Sequence, residues 1–144
     1  MRYKRSTTLV LIAALFVVAL SGMAHARVTV EFWHALGGHI GRDVLVEFIN
    51  DFNASQDEVY VEPIYQGSYN DVLNQYRLAV QAGNPPHLVH VFEIGTRFMI
   101  DLDSTVPLQP FIDRGDLDPT NLVDNVLNYY TIDGQMYSMP FNTS

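Results

Sequence analysis

Cysteine is absent from this chain of 144 residues. Its absence excludes disulfide bonds, thiolate chemistry and a lipid-modified cysteine at a processing site, so the fold must be held by its hydrophobic core. Basic residues are also few, because eight lysine and arginine residues stand against sixteen aspartate and glutamate residues. This acidic balance argues against nucleic acid or an anionic membrane surface as a partner.

Long apolar runs are missing too. The run of residues 9–20 has twelve residues, fewer than the roughly 20 that a membrane-spanning helix needs. Basic residues precede it, and Ala24-His25-Ala26 closes the segment. This layout predicts a cleavable secretory signal peptide over residues 1–26 rather than a retained membrane anchor. Its removal would take away three basic and no acidic residues and leave a net charge of −11.

Motifs for nucleotides and metals are not found either. The glycine-rich stretch "GGHIG" lacks the dinucleotide fingerprint, and there is no P-loop. The chain has no "HExxH" motif. His87 and His90 are three residues apart on a predicted strand, so they should point to opposite faces. The sequence therefore predicts no metal site and no cofactor.

Strand patterns alternate with helix patterns in the first two thirds of the chain. The stretches "RVTVEFWH", "EVYVEPIYQG" and "HLVHVFEIGT" read as three strands. Pro63 cannot donate a ladder hydrogen bond, which places the second strand at a sheet edge. The third stretch is almost continuously apolar up to Glu93, as expected for a central strand that is buried on both faces.

Two amphipathic helices separate these strands. On the first, we expect one apolar face made of Leu45, Phe48, Ile49 and Phe52. The second has a capping box at Ser68 and Asp71 and a stop at Gly83. Its predicted buried stripe is Val72, Leu73, Tyr76, Ala79 and Val80.

The order β-α-β-α-β with short connections predicts an α/β fold with a parallel sheet. A less regular region follows. Within it, Asp118 and Pro119 have the pattern of a helix start, and Asp133-Gly134 that of a hairpin turn.

Ligands of open parallel sheets bind outside the carboxyl ends of the strands, and two residues there stand out. Tyr69 follows the Ser68 cap, where it either packs as part of a hydrophobic staple or faces a ligand. Glu93 interrupts an apolar run at a strand end, where it either caps the following turn or accepts hydrogen bonds from the hydroxyls of a polyol or sugar. Trp33 ends the first strand, where core packing and stacking on a ligand are the alternatives.

An enzyme is the main alternative class. In that reading the chain is a secreted hydrolase of sugars or phosphoesters, with Glu93 as its acid or base. Such a role would need a second acid or a nucleophile nearby, and the sequence singles out neither.

Four stretches taken together resemble one known family. They are "FWHALGGHIG", "YQGSYNDVLNQY", "AGNPPHLVHVFEIGT" and "MPFNTS". In order and spacing, over nearly all of residues 28–144, they are similar to the glycerol-3-phosphate-binding members of the periplasmic, extracellular solute-binding proteins of ATP-driven importers. Maltose-binding proteins belong to the same family. Each stretch alone is a weak signal, whereas the set is fairly specific.

The resemblance implies a fold, a function and a location. The fold is that of a type II periplasmic binding protein, monomeric and two-lobed, with a parallel sheet in its first lobe. The protein would bind sn-glycerol 3-phosphate, a glycerophosphodiester or a sugar in the periplasm and deliver it to the permease subunits of an ABC importer. No catalysis and no cofactor are implied.

The same resemblance assigns three ligand contacts. Tyr69 of "GSYN" and Ser144 of "FNTS" would hydrogen-bond the ligand, and Glu93 of "VFEIG" would hold glycerol hydroxyls. Family members are much longer, and their phosphate-binding groups come from segments beyond residue 144. We therefore expect residues 27–144 to form the first part of the N-terminal lobe, without the second lobe. A truncated remnant without function is a further alternative.

Overall fold

The computed structural model describes residues 26–142. All but the last residue of the predicted signal peptide, and Ser144, lie outside the described residues. Within the described range, no helix combines the length and the apolar character that crossing a membrane requires.

A three-stranded parallel sheet forms the centre of the fold. Its strands are β1 (Val28–His34), β2 (Val59–Tyr65) and β3 (Leu88–Val89), in the spatial order β2-β1-β3. Phe32 lies opposite Pro63 of β2 and Leu88 of β3. The predicted α/β class, the parallel direction and the edge position of β2 are confirmed.

The prediction for the third strand is wrong in two respects. β3 has two residues and lies at an edge, whereas β1 is the central strand. Leu88 is half exposed, because within residues 26–142 no strand covers the outer side of β3. The chain then leaves the sheet and forms a 3-10 helix, Glu93–Gly95.

Helix α1 (His39–Ser55) packs on the sheet through a narrow line of residues. Leu45 and Ile49 are buried and form a core cluster with Phe32. Phe48 and Phe52, predicted to share this face, are 68% and 46% exposed. That part of the prediction is wrong, because the sheet reaches only one side of the helix and nothing else between residues 26 and 142 buries the other.

Two amide side chains at the end of α1 bind the outer edge of β2. The Asn53 amide donates to the Val61 carbonyl and accepts from the Val61 N–H, both at 2.8 Å. The Gln56 amide binds Val59 in the same way, at 2.7 Å to its carbonyl and 2.8 Å from its N–H. Buried backbone groups need such partners, so these amides stand in for a missing neighbouring strand.

Helix α2 (Tyr69–Gln81) matches its prediction. Ser68 caps it and forms the expected capping box with Asp71. Val72 and Tyr76 are buried, and the other three residues of the predicted stripe are partly buried. The Tyr76 hydroxyl also reaches the Ser104 hydroxyl at 2.9 Å.

The remaining chain consists of short elements. They are α3 (Thr96–Asp101), α4 (Gln109–Asp113), α5 (Asp124–Tyr129), and a hairpin of β4 (Thr131–Ile132) and β5 (Gln135–Met136). The predicted hairpin is confirmed. The predicted helix start at Asp118 is wrong, because its carboxylate accepts from the Thr120 N–H and forms a local turn, so that α5 begins at Asp124.

Candidate functional site

The start of α2 places Tyr69 at the carboxyl edge of the sheet. Gly67 turns the chain with a φ of +100°, and Ser68 follows as the extended N-cap. The Ser68 N–H donates to the Asp71 carboxylate at 2.8 Å, and the Ser68 hydroxyl accepts from the Asp71 N–H at 3.3 Å. Tyr69 is therefore the first residue of the helix, fixed immediately beyond β2.

The Tyr69 ring both packs and remains partly exposed. Its centroid lies 5.1 Å from that of His90, edge to face, and 5.5 Å from that of Phe92. Aromatic pairs favour these separations and angles. The packing partners come from the segment that leaves β3, so the ring joins two sheet connections and still presents a surface.

His90 is the most connected side chain of this region. It is 6% exposed, its Nε2 lies 3.0 Å from the Asn142 Oδ1, and its Nδ1 lies 3.5 Å from the Ala35 N–H. An amide oxygen only accepts, so Nε2 carries the proton of the neutral ring and leaves Nδ1 free to accept. Burial lowers the pKa of His90, and the Asn142 hydrogen bond opposes this effect.

Glu93 opens the 3-10 helix instead of ending a strand, and its side chain is exposed. The hydrogen bond of this turn joins the Thr96 hydroxyl to the Glu93 backbone carbonyl at 2.9 Å. Burial raises the pKa of the Tyr130 hydroxyl, and the charge of Glu93 adds to this shift.

The carboxyl end of β1 lies in the middle of this edge of the sheet, between the ends of β2 and β3. His34 is 2% exposed, with its ring 5.9 Å from Phe32 and 5.7 Å from Tyr65. Burial lowers the pKa of His34, and the charges of His90 and Arg42 add to this shift. The Trp33 Nε1 and the His34 Nδ1 are buried without a hydrogen-bond partner among the described residues.

Metal binding has no support in the described part of the chain. No group of three or more His, Asp or Glu side chains between residues 26 and 142 is placed to hold a metal ion. The Nδ1 of His87 instead accepts from the Glu31 N–H at 3.2 Å.

The structure thus brings Tyr69 and the segment of Glu93 to the same edge of the sheet. Ser144 lies outside the described residues, although Asn142, two residues earlier, reaches this edge. Sequence reasoning missed the aromatic surroundings, His90 and Phe141. The sequence shows an apolar "PF" in a loop and a histidine at a strand end, but these are local features, and neither indicates that the two segments meet.

Comparisons with known proteins agree with this architecture. The family model described as bacterial extracellular solute-binding protein matches residues 47–144. The sn-glycerol-3-phosphate-binding periplasmic protein UgpB of Salmonella typhimurium is 33% identical over 131 residues, which cover 88% of this chain and 30% of that protein. The protein of the same name from Escherichia coli K12 is 31% identical over the same shares.

A solved structure shows the same fold. The extracellular solute-binding protein of family 1 from Alicyclobacillus acidocaldarius superposes with a TM-score of 0.70 at 18% identity, over 79% of this chain and 28% of that one. The chain spans about 30% of the length of the relatives it matches. Because the family model covers residues 47–144, the chain belongs to the bacterial extracellular solute-binding proteins.

Proposed function

We propose that this chain is part of the solute-binding component of an ABC importer that takes up sn-glycerol 3-phosphate or glycerophosphodiesters. The observation that carries the proposal is the likeness, over 88% of the chain, to proteins named for binding sn-glycerol 3-phosphate. The geometry supports it, because Tyr69 and Glu93 lie in the connections that follow β2 and β3 at the carboxyl edge of the parallel sheet.

The roles of the residues follow from their chemistry. The Tyr69 hydroxyl donates one directed hydrogen bond to the ligand, and its ring forms a wall that His90 and Phe92 hold in place. The exposed Glu93 carboxylate accepts hydrogen bonds from two glycerol hydroxyls. Ser144 gives a third contact in this proposal.

The proposal includes a location and a place in a larger protein. Residues 1–26 act as a signal peptide and direct the chain to the periplasm, where the two-lobed protein to which it belongs works as a monomer and passes the ligand to permease subunits. Residues 27–144 are the first part of the N-terminal lobe of a two-lobed protein, and the phosphate is bound by groups that this chain does not contain.

A hydrolase is the weaker candidate. Glu93 is exposed, and the sequence singles out no second acid or nucleophile to work with it. Binding without turnover is the activity that we propose.

Titration followed by NMR tests the proposal on the 144-residue chain. Added sn-glycerol 3-phosphate should shift the signals of Tyr69 and Glu93 and saturate in the millimolar range. Tyr69→Phe should weaken binding by about threefold to tenfold, the factor of one hydrogen bond. Tyr60→Phe is the matched control, because Tyr60 is an exposed tyrosine on β2.

Two further ligands and one variant complete this test. Maltose and inorganic phosphate at equal concentrations should shift these signals less than sn-glycerol 3-phosphate does. Glu93→Gln should weaken binding, and phosphorus NMR should show no product from a glycerophosphodiester with either protein. Turnover that disappears in Glu93→Gln while binding persists would establish the hydrolase instead.

A further inference from the structure

The segment that precedes Ser144 is attached to the sheet through His90. The rings of Phe141 and His90 are 5.0 Å apart, edge to face, and Phe141 also contacts Phe32 at 6.0 Å. The Asn142 amide oxygen accepts from the His90 Nε2 at 3.0 Å. Phe141 is 51% exposed, so hydrophobic burial alone holds this segment weakly.

The same imidazole contacts the ligand residue on α2. The ring centroids of His90 and Tyr69 are 5.1 Å apart, edge to face. The backbone N–H of His90 donates to the Trp33 carbonyl at 2.8 Å. His90 thus connects β1, the start of α2 and residues 141–142. We propose that His90 is a positioning residue of the ligand site, which sets the Phe141–Asn142 segment and the Tyr69 ring relative to each other.

This inference rests on the proposed function for its meaning, since it concerns the same edge of the sheet. Its physical content does not depend on a ligand. The contacts of His90 with Asn142 and Phe141 join groups of the chain itself, so they can be tested separately.

Charge on the imidazole would disturb this arrangement. In the neutral ring Nδ1 faces the Ala35 N–H at 3.5 Å, so protonation would place two donors against each other. Among residues 26–142, the titratable groups that act on His90 are Tyr69 on α2, which packs against its ring, and His34 on β1, whose charge interacts with it, while Arg42 acts on His34. None of these described groups is an anion that would stabilise an imidazolium, so the connection should hold only while His90 is neutral.

Three variants of the full chain separate positioning from general stability. His90→Phe keeps a ring but removes the hydrogen bond, and His90→Gln restores both a donor and an acceptor. Asn142→Leu removes the same hydrogen bond from an exposed residue outside the sheet. His87→Gln is the matched control, because His87 is an exposed histidine three residues away.

The first measurement needs no ligand. In wild type, the Phe32 and Phe141 rings should show a nuclear Overhauser effect, and the Asn142 side-chain amide should have signals distinct from those of a free amide. Both should be lost in His90→Phe and Asn142→Leu and kept in His90→Gln and His87→Gln. In wild type, the Overhauser effect and the distinct amide signals should also disappear on acidification. The midpoint of this loss should match the apparent pKa of His90 that is measured from the chemical shifts of its ring protons.

The second measurement uses sn-glycerol 3-phosphate. His90→Phe and Asn142→Leu should weaken binding by about threefold to tenfold, and His90→Gln should recover most of it. Wild-type binding affinity in His90→Phe or Asn142→Leu, or retained Phe32–Phe141 contacts in both, would overturn the inference. If wild type binds no sn-glycerol 3-phosphate, the proposed function fails, whereas the ligand-free measurement still decides whether His90 positions this segment.

Discussion

Gly67 determines where the helix that carries Tyr69 begins. Its φ of +100° is a conformation that only glycine adopts readily. A Cβ at this position would lie 2.6 Å from the Asp71 Oδ2, the carboxylate oxygen that accepts from the Ser68 N–H. A side chain at residue 67 would therefore both strain the backbone and disturb the capping box.

We predict that Gly67→Ala lowers the free energy of unfolding by about 2 to 3 kcal/mol, the sum of a strained backbone and a lost cap. Gly83→Ala is the control, because its φ is also positive, at +73°, but nothing lies within 4 Å of the added Cβ. Urea denaturation measures both. Equal losses in the two variants would show that the collision with Asp71 has no effect.

The two buried histidines predict how stability depends on pH. The pKa of both His34 and His90 is lower in the folded chain than the ordinary value of 6.5, mainly because of burial. The unfolded chain therefore binds more protons below pH 6.5, and the free energy of unfolding should fall as the pH decreases from 6.5 to the folded-state pKa values.

Urea midpoints measured in steps from pH 8 to pH 5 test this linkage. The midpoint should be level above pH 7 and decrease below pH 6.5. His90→Gln should reduce the slope, and His39→Gln, at an exposed position on α1, is the comparison variant. A midpoint that rises on acidification would contradict the direction of both shifts.

At the residue scale, the sequence correctly predicts contacts between neighbouring residues but not contacts between distant segments. Ser68, Asp71 and Tyr69 are neighbours in sequence, so a capping box was enough to place Tyr69. His90 and Asn142 are 52 residues apart, and no pattern in one chain indicates that they meet. A comparison of family sequences would show whether the residues at positions 90 and 142 vary together.

Among the elements, α1 and β2 are joined by polar contacts as well as by packing. Asn53 is buried and makes two 2.8 Å hydrogen bonds with Val61. Its removal leaves a backbone donor and a backbone acceptor without partners, and each such group costs about 1 to 3 kcal/mol when water cannot replace the partner.

Asn53→Ala should therefore lower the free energy of unfolding by about 2 to 4 kcal/mol, with an unchanged helix content by circular dichroism. Asn50→Ala, on the exposed side of the same helix, should change it by less than about 0.5 kcal/mol. Amide exchange of Val61 gives the local readout. Slow exchange at Val61 in Asn53→Ala would mean that another group had taken over the role of Asn53.

The elements differ in how well the sequence predicts them. The capped ends of α2 are local features, and so its bounds were correct. β3 and the apolar face of α1 depend on what covers them, which amino-acid pattern alone does not show. Phe48 and Leu88 have apolar side chains in regular patterns, yet both are exposed because no described segment packs against them.

For the whole molecule, the balance of binding energy predicts that this chain binds sn-glycerol 3-phosphate weakly. The three hydrogen bonds of the proposed site would contribute about 5 to 9 kcal/mol, whereas association costs about 4 to 15 kcal/mol and micromolar binding requires about 8 kcal/mol net. Calorimetry of this chain alone should thus detect no micromolar binding of sn-glycerol 3-phosphate. A micromolar dissociation constant would show that these residues hold the phosphate as well.

The outer side of α1 predicts how the whole chain behaves in solution. Ile40, Val44, Phe48 and Phe52 are exposed in a row along this helix, and such a surface favours association. Phe48→Ser should reduce self-association in sedimentation velocity and change stability by less than about 0.5 kcal/mol. Leu45→Ala, at a buried position nearby, should instead cost about 2 to 5 kcal/mol.

The behaviour of the wild-type chain in solution also tests the hypothesis that the chain is a remnant without function. This hypothesis predicts aggregation and a gradual, non-cooperative melting curve. A monodisperse wild-type chain that melts cooperatively would contradict it.

The amides of Asn53 and Gln56 have a consequence for encounters between molecules. They occupy the outward N–H and C=O groups of Val61 and Val59, and Pro63, two residues further along β2, has no N–H to offer. A strand from another chain therefore finds no free ladder on this side, although unpaired sheet edges are common templates for amyloid growth. Fibril growth from the β2 edge, if induced, should therefore begin only after the end of α1 detaches from β2.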